Sequence, residues 1–174
     1  SPQQRRVDPG DTRAAALARA QACFAAVAER AEKAGVLYCI EPLSAEQTPL
    51  INTLAEAAKL VEAIGSRAVR TMLDCSAAGR METAPLPALV DKWLPNGMIA
   101  HVQVNDRNRR GPGQGEQRFA PLFAALTRHG EKALHAKKTP QALELFNRVL
   151  TIDPSNVRVT KNLARLSRRK LWAQ

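Results

Sequence analysis

The chain has 174 residues, with 26 Lys and Arg against 16 Asp and Glu, which gives a formal net charge of +10. Hydrophobic residues make up 45% of the chain but aromatic residues only 4%, and a core built mostly from Ala, Leu and Val favours helices and helix-covered parallel strands over a β-sandwich. The basic residues are scattered without interleaved aromatic side chains, which disfavours a nucleic-acid-binding surface, although an anionic partner stays compatible with the charge.

The predicted elements alternate between helices and strands. In chain order they are a helix that starts after Asp11 or Thr12 and ends at Gly35, a strand over VLYCIE, a helix from about 53 to 64 closed by Gly65, a strand over VRTMLD, a short helix from about 86 to 93, a strand over MIAHVQVND and a helix from about 119 to 129. This alternation predicts parallel strands joined by helical crossovers.

Polar residues stand at the end of each predicted strand. Glu41 ends the first strand, Asp74 ends the second, and a polar and cationic stretch from His101 to Gly115 ends the third. In α/β barrels, functional groups lie at the carboxyl ends of the strands. Carboxylates with a His or Gln suit Mg²⁺ or Mn²⁺, and imidazole extends the choice to Co²⁺ or Zn²⁺. Helix caps, turns and packed side chains are the structural alternatives.

Three segments carry a resemblance to a known family. IEPL, RTMLD and AHVQVNDRNRRGPGQGEQRFAPLFAAL resemble the second half of the xylose isomerase-like barrels, and within them the sugar phosphate isomerase/epimerase family. The resemblance covers about residues 12 to 130, and NRRGPGQG followed by FAPLFAAL is its most specific part. It implies an α/β fold in which residues 1–130 form a partial TIM barrel.

The resemblance also implies a metal site and a reaction. Glu41 corresponds to the catalytic base and a metal ligand, and Asp74 to a second ligand. Gln103 corresponds to the third ligand, with His101 beside it as a possible substitute. The implied activity is a divalent-metal-dependent isomerase or epimerase that moves a proton next to a carbonyl. Its small-molecule substrate would be a sugar, a sugar phosphate or a hydroxy-keto acid.

The implied substrate contacts and the departures from the family pattern lie elsewhere. Arg109 corresponds to a substrate-contacting arginine of the epimerases and, with Arg110, would hold the anionic end of the substrate. Ala77 stands where ketose epimerases have a His, and no apolar strand ending in Glu follows Gly130. We therefore expect this chain to be incomplete or inactive by itself, and whether it is an enzyme is left open.

From Gly130 the sequence changes character. Residues 131–174 predict helices joined at Asp153, Pro154 and Ser155, and the spacing of Gly130, Ala142, Phe146 and Pro154 resembles a tetratricopeptide repeat. An ordinary helical hairpin is the alternative. A repeat-like tail implies a second reading of the whole chain, as a non-catalytic module that binds a protein partner.

Other classes of protein are disfavoured. Cys23, Cys39 and Cys75 are widely spaced, which argues against disulfides and zinc and predicts reduced thiols in a cytoplasmic protein. No apolar run is long enough for a transmembrane helix, and the N-terminus lacks the apolar core of a signal peptide. A DNA-repair nuclease of the same barrel class ranks last, because only three His occur and two of them, His129 and His135, lie outside the predicted strands.

Overall fold

The structure is a computed structural model that describes the backbone of residue 3 and residues 5–171 and the side chains up to residue 167. Residues 172–174 of the predicted tail lie outside the described residues. The chain divides into two compact units, residues 1–117 and residues 118–174. The sequence predicted a domain boundary near 130, and that boundary stays a prediction, although a single helix runs across it.

The first unit contains a small parallel sheet and four helices. In chain order its elements are α1 (Arg13–Ala34), β1 (Tyr38–Ile40), α2 (Leu54–Ile64), β2 (Val69–Asp74), α3 (Cys75–Met81), α4 (Leu86–Trp93) and β3 (Ile99–Gln103). Both long helices begin at a threonine cap and end at a left-handed glycine, Gly35 and Gly65, as the sequence predicted. The prediction of parallel strands with helical crossovers is confirmed.

The sheet has the order β1-β2-β3, with β2 in the middle. One face carries Ile40, Val69 and Leu73, which are buried, and α1 and α2 contribute to the same core. Thr71 is buried on that face as well, and its hydroxyl donates to the Ile40 carbonyl over 2.7 Å. The opposite face brings Met72 beside His101 and Asp74 beside Gln103. The register shifts by one residue between Thr71 and Met72, where β3 carries the extra residue Ala100.

Two helices differ from the sequence prediction. Residues 75–81 were predicted as part of a loop but form α3, because Asp74 caps the helix and residues 75–78 are buried. The helix predicted to end near 129 continues as α5 (Ala120–His135). Gly130 lies inside this helix, where its lack of a side chain leaves room for the ring of Phe146.

The second unit is helical. It consists of α5, α6 (Thr139–Ile152) and α7 (Val157–Leu171), and the predicted turn after residue 152 is confirmed. Its core includes Ala142, Phe146, Val149 and Val159, each with no exposed surface. The assignment to a tetratricopeptide repeat stays a prediction. Among the described residues, no helix combines the length and the apolar character needed to cross a membrane.

Candidate functional site

The ends of β1 and β2 bring two carboxyl groups into one cleft. Glu41 directly follows β1, Asp74 is the last residue of β2, and both line a small cleft of about 40 Å³. Parallel neighbours end at the same edge of the sheet, so residues 33 positions apart in sequence meet there. The other lining residues come from the loop after β1, from α3 and from the loop after β3: Leu43, Ser44, Glu46, Gln47, Ser76, Ala77, Arg80 and Arg109.

The Glu41 carboxyl group holds its proton more tightly than an ordinary glutamate. Burial is the largest cause of its raised pKa, followed by the charge of Asp74, and a hydrogen bond between the two carboxyl groups acts in the same direction. The positive charges of Arg5 and Arg109 oppose the rise. A carboxylate with a raised pKa is a stronger base, and two acids that face each other favour a bound cation.

Asp74 is held in a fixed orientation. Its Oδ1 accepts a hydrogen bond from the Ala77 amide over 2.7 Å, and its Oδ2 accepts one from Asn105 Nδ2 over 3.1 Å. The Asn105 Oδ1 in turn accepts the Ser76 amide over 2.9 Å. Asp74 therefore does cap a helix, which was the structural alternative for this residue. Each carboxylate oxygen has a second lone pair, so capping leaves both oxygens able to bind a ligand.

The predicted ligands on β3 lie on the same face as Asp74. Gln103 is the direct neighbour of Asp74 across the sheet, whereas His101 is the neighbour of Met72, two residues further from the cleft. Within the described part of the chain, no group of three or more His, Cys, Asp or Glu could hold a metal ion. The donor set still fits a hard divalent cation, since two carboxyl groups share one cleft and Gln103, opposite Asp74 on the neighbouring strand, would add an amide oxygen. The roles of His101 and Gln103 as ligands stay predictions.

The two predicted substrate arginines differ in position. Arg109 lines the cleft and acts electrostatically on Glu41. It has a left-handed backbone, with a φ of 64°, which is unusual for a residue with a side chain. Arg110 contributes backbone groups to the same loop, and its carbonyl accepts the Asp106 amide over 2.9 Å. The geometry favours Arg109 over Arg110 as a residue that reaches a ligand in the cleft.

Three residues near the site were not assigned a role from the sequence. Asn105 orients Asp74, and Asp106 lies fully buried at the start of the loop that carries Arg109. Arg5 donates from Nη1 to the Glu41 carbonyl over 2.6 Å. Burial of the Arg5 guanidinium lowers the pKa of this arginine. The sequence does show Asn105 and Asp106 as the last two residues of the predicted strand MIAHVQVND, and polar residues at a strand end are a signal for a site. No sequence signal links Arg5 to Glu41.

Known proteins resemble this chain in sequence and in fold. An L-ribulose 3-epimerase from Mesorhizobium japonicum is 31% identical over 64% of this chain and 37% of its own length. The structure of a D-psicose 3-epimerase with D-tagatose from Clostridium cellulolyticum H10 superposes with a TM-score of 0.62 at 26% identity, over 71% of this chain and 43% of that one. An AP endonuclease, family 2, from Brucella melitensis gives 0.60 at 27% identity, over 69% and 46%.

The chain spans less than half the length of the curated relatives that it matches, with aligned shares of 34%, 44% and 37% of those proteins. A family model, the xylose isomerase-like TIM barrel, matches residues 3–158. The match extends past residue 130, where the resemblance was expected to end, and includes α6. The chain belongs to the xylose isomerase-like TIM barrel family.

Proposed function

We propose that this chain carries the proton-transfer part of a sugar epimerase or isomerase site. The observation that carries the proposal is the facing pair of carboxyl groups, Glu41 and Asp74, in a cleft that Arg109 also lines. The similarity to proteins named D-psicose 3-epimerase and L-ribulose 3-epimerase supports a ketose as the substrate. Sugar phosphates and hydroxy-keto acids are related substrates with the same reacting group.

In this proposal Glu41 is the base. Its carboxylate takes the proton from the carbon next to the substrate carbonyl, and the electron pair of the broken C–H bond forms an enediolate. Return of the proton from Glu41 to the same face regenerates the substrate, and delivery of a proton from solvent water to the opposite face gives the epimer. The Asp74 charge assists because it raises the pKa of Glu41. Arg109 offers a planar donor to the polar or anionic end of the substrate.

A divalent cation, Mg²⁺ or Mn²⁺, fits the donor set of this proposal. Glu41 and Asp74 would hold it, with Gln103 and then His101 as further donors. When bound, such an ion polarises the carbonyl and stabilises negative charge on the neighbouring oxygens. Arg5 donates to the Glu41 carbonyl, which supports the backbone of the base without occupying its carboxyl group.

The test is exchange of the substrate proton with solvent. The full chain is incubated with Mn²⁺ and either D-psicose or L-ribulose in D₂O, and proton NMR follows loss of the signal next to the carbonyl. This assay detects proton removal even when the proton returns to the same face. The sequence led us to expect a chain that is incomplete or inactive in the full reaction, but exchange requires only one base. We therefore expect exchange with the wild type and at least a ~100-fold lower rate with Glu41→Gln, which is the range for loss of a general base.

The matched control is Glu62→Gln. Glu62 is an exposed glutamate on α2 that does not line the cleft, so the same change should leave the exchange rate within about twofold of the wild type, as for surface substitutions. Wild-type exchange that Glu41→Gln does not reduce would reject Glu41 as the base. No exchange with either sugar would reject the proposed activity for this chain.

The second candidate function is binding of an acidic peptide by the unit 118–174. A groove of about 1070 Å³ lies between α5 and α7. Its Glu131 is neutralised by Arg158, whose hydrogen bonds of 2.7 Å and 2.5 Å lower the pKa of that glutamate. The groove also holds the cations Lys137 and Arg165, which favour an anionic partner.

A titration with two synthetic peptides tests this candidate. An aspartate-rich peptide should bind the chain and a lysine-rich peptide of equal length should not. Arg165→Glu should weaken the acidic peptide by roughly tenfold, as expected for loss of a charge pair plus repulsion. Equal binding of both peptides, or no effect of Arg165→Glu, would exclude a specific acidic-peptide site in this groove.

A further inference from the structure

The loop that follows β3 closes on the carboxylate of Asp106. This side chain has no exposed surface, although it belongs to a loop of mostly exposed residues. Its Oδ1 accepts the Arg107 amide over 2.8 Å, and both carboxylate oxygens lie 3.3 Å from the Gln117 amide. Backbone amides that point at a buried carboxylate form charge-assisted hydrogen bonds. Asp106 thereby joins the two ends of the loop 106–117.

A glycine makes this closure possible. A β-carbon added to Gly115 would stand 2.3 Å from Oδ1 and 2.8 Å from Oδ2 of Asp106, closer than any side chain tolerates. Asp106 cannot move aside, because its carboxylate is buried and hydrogen-bonded. Gly111, in the same loop, has no such restriction, since its added β-carbon would meet nothing closer than 4.0 Å. The buried Asp106 carboxylate therefore requires a glycine at position 115, and the closed loop depends on both residues.

The backbone of the same residue forms the turn that contains Arg109, and the Asp106 carboxylate fixes this turn because it joins the two ends of the loop. The Asp106 carbonyl accepts the Arg109 amide over 2.8 Å, and the Asp106 amide donates to the Arg110 carbonyl over 2.9 Å. These two bonds form a tight turn in which Arg109 has a φ of 64°. An arginine does not favour this conformation by itself, because in left-handed backbone the β-carbon of a residue other than glycine comes too close to the following carbonyl oxygen. The turn holds Arg109 at the cleft that contains Glu41 and Asp74.

Two further hydrogen bonds join the start of the loop to α3. The Arg107 carbonyl accepts one hydrogen bond from Arg80 Nη2 over 2.6 Å and one from Ser76 Oγ over 3.2 Å. Both donors lie on α3 and line the cleft. The loop is therefore held at Arg107 by side chains of α3, and the Asp106 carboxylate holds its two ends together.

We propose that Asp106 is a positioning residue, which together with Gly115 holds Arg109 at the cleft for the polar or anionic end of the substrate. The inference rests on the proposed function for its ligand, but its structural part stands on the loop itself. Asp106 does not act as a base, because its carboxylate is buried under the loop and already accepts backbone amides.

The experiment measures two properties of the full chain in Mn²⁺. The first is the affinity for D-psicose by calorimetry, and the second is amide hydrogen exchange over residues 107–117. Asp106→Ala and Gly115→Ala should both speed exchange in this loop. They should also weaken D-psicose by roughly tenfold, which is what loss of one charged hydrogen bond costs. Gly111→Ala, the matched control, should change neither property.

Two comparisons separate positioning from a general loss of structure. Asp106→Asn keeps the Oδ1 acceptor and should restore most of the affinity that Asp106→Ala loses. Asp106→Ala combined with Arg109→Ala should bind D-psicose no more weakly than Arg109→Ala alone, because a positioning residue has no effect once its target is gone. Mn²⁺ affinity should stay within about twofold in Asp106→Ala and in Gly115→Ala, because neither residue lines the cleft or belongs to the proposed donor set.

Unchanged loop exchange in Asp106→Ala would overturn the inference, and so would additive losses in the combined variant. A wild-type chain that binds no D-psicose would defeat the proposed function instead. The loop exchange of Asp106→Ala, Gly115→Ala and Gly111→Ala would then still decide whether Asp106 fixes the backbone of Arg109.

Discussion

Replacing Gly130 by Ala tests how tightly α5 and α6 pack. The new β-carbon would stand 2.6 Å from Cε1 and 2.9 Å from Cδ1 of Phe146, whose ring is fully buried. Ordinary carbon–carbon contacts lie near 3.5–4.0 Å, so the two helices would have to separate by about 1 Å. Overpacking by one methyl group costs about 1–3 kcal/mol, and the severity of this clash points to the upper half of that range.

The helix itself gains from the change, because alanine is favoured over glycine in a helix interior by about 1 kcal/mol. The net expectation for Gly130→Ala is therefore a loss of about 1–2 kcal/mol in the free energy of unfolding, once overpacking and propensity are combined. Urea unfolding of the full chain, followed by circular dichroism, measures this loss. Lys132→Ala, an exposed change on the same helix, should stay within about 0.5 kcal/mol of the wild type.

Making Gly130→Ala in a chain that also carries Phe146→Leu tests whether contact with the Phe146 ring causes the loss of stability. Phe146→Leu removes the ring carbons Cε1 and Cζ that meet the new methyl group, so Gly130→Ala should cost at least ~1 kcal/mol less there than in the wild type. The reasoning is refuted if Gly130→Ala stabilises the wild-type chain, or if the Leu background does not change its effect.

Three further predictions concern the first unit. In EDTA, urea unfolding should show Glu41→Gln becoming more stable relative to the wild type as the pH rises from 4 to 7. The pKa of Glu41 is raised in the folded chain, so the stability that its protonated form contributes is present below the unfolded pKa and is lost as the pH rises through the folded pKa. A stability difference that does not change with pH would contradict this prediction. Asn105→Ala should weaken Mn²⁺ binding by about 10–100-fold in calorimetry, because Asp74 loses the donor that orients it, and unchanged affinity would reject that role. Cys75, whose pKa burial raises to about 12, should resist iodoacetamide at pH 8 in the folded chain while exposed Cys23 reacts, and mass spectrometry showing equal labelling would contradict its burial.

Local signals predicted the elements with marked ends. Gly35 and Gly65 each follow a segment with apolar residues at helical spacing, which is where a glycine ends a helix, so both helix ends could be predicted from the sequence. The short helix α3 was not visible, because seven residues hold less than two turns of periodicity and Asp74 was assigned to a strand end. Gly130 suggested an interruption, since its reason for being glycine lies on another helix.

The site divides in the same way. Glu41 and Asp74 could be predicted to meet, because parallel strands deliver their last residues to one edge. The supporting hydrogen bonds could not, since Asn105 reaches Asp74 across 31 positions and Arg5 reaches Glu41 across 36. Residues that orient others carry no spacing rule of their own, and only the folded chain shows which side chain each one holds.

The extra residue in β3 decides which side chain of this strand stands beside Asp74. Ala100 is the position at which the register with β2 shifts, so that His101 and Gln103 stand beside Met72 and Asp74. In a regular ladder Ala100 would pair with Met72 and Val102 with Asp74, because one residue of slip exchanges the two faces of a strand. Deleting Ala100 would remove the irregularity and keep Gln103 opposite Asp74. The chemistry of the strand end thus depends on where one extra residue is accommodated, although that residue carries no functional group itself.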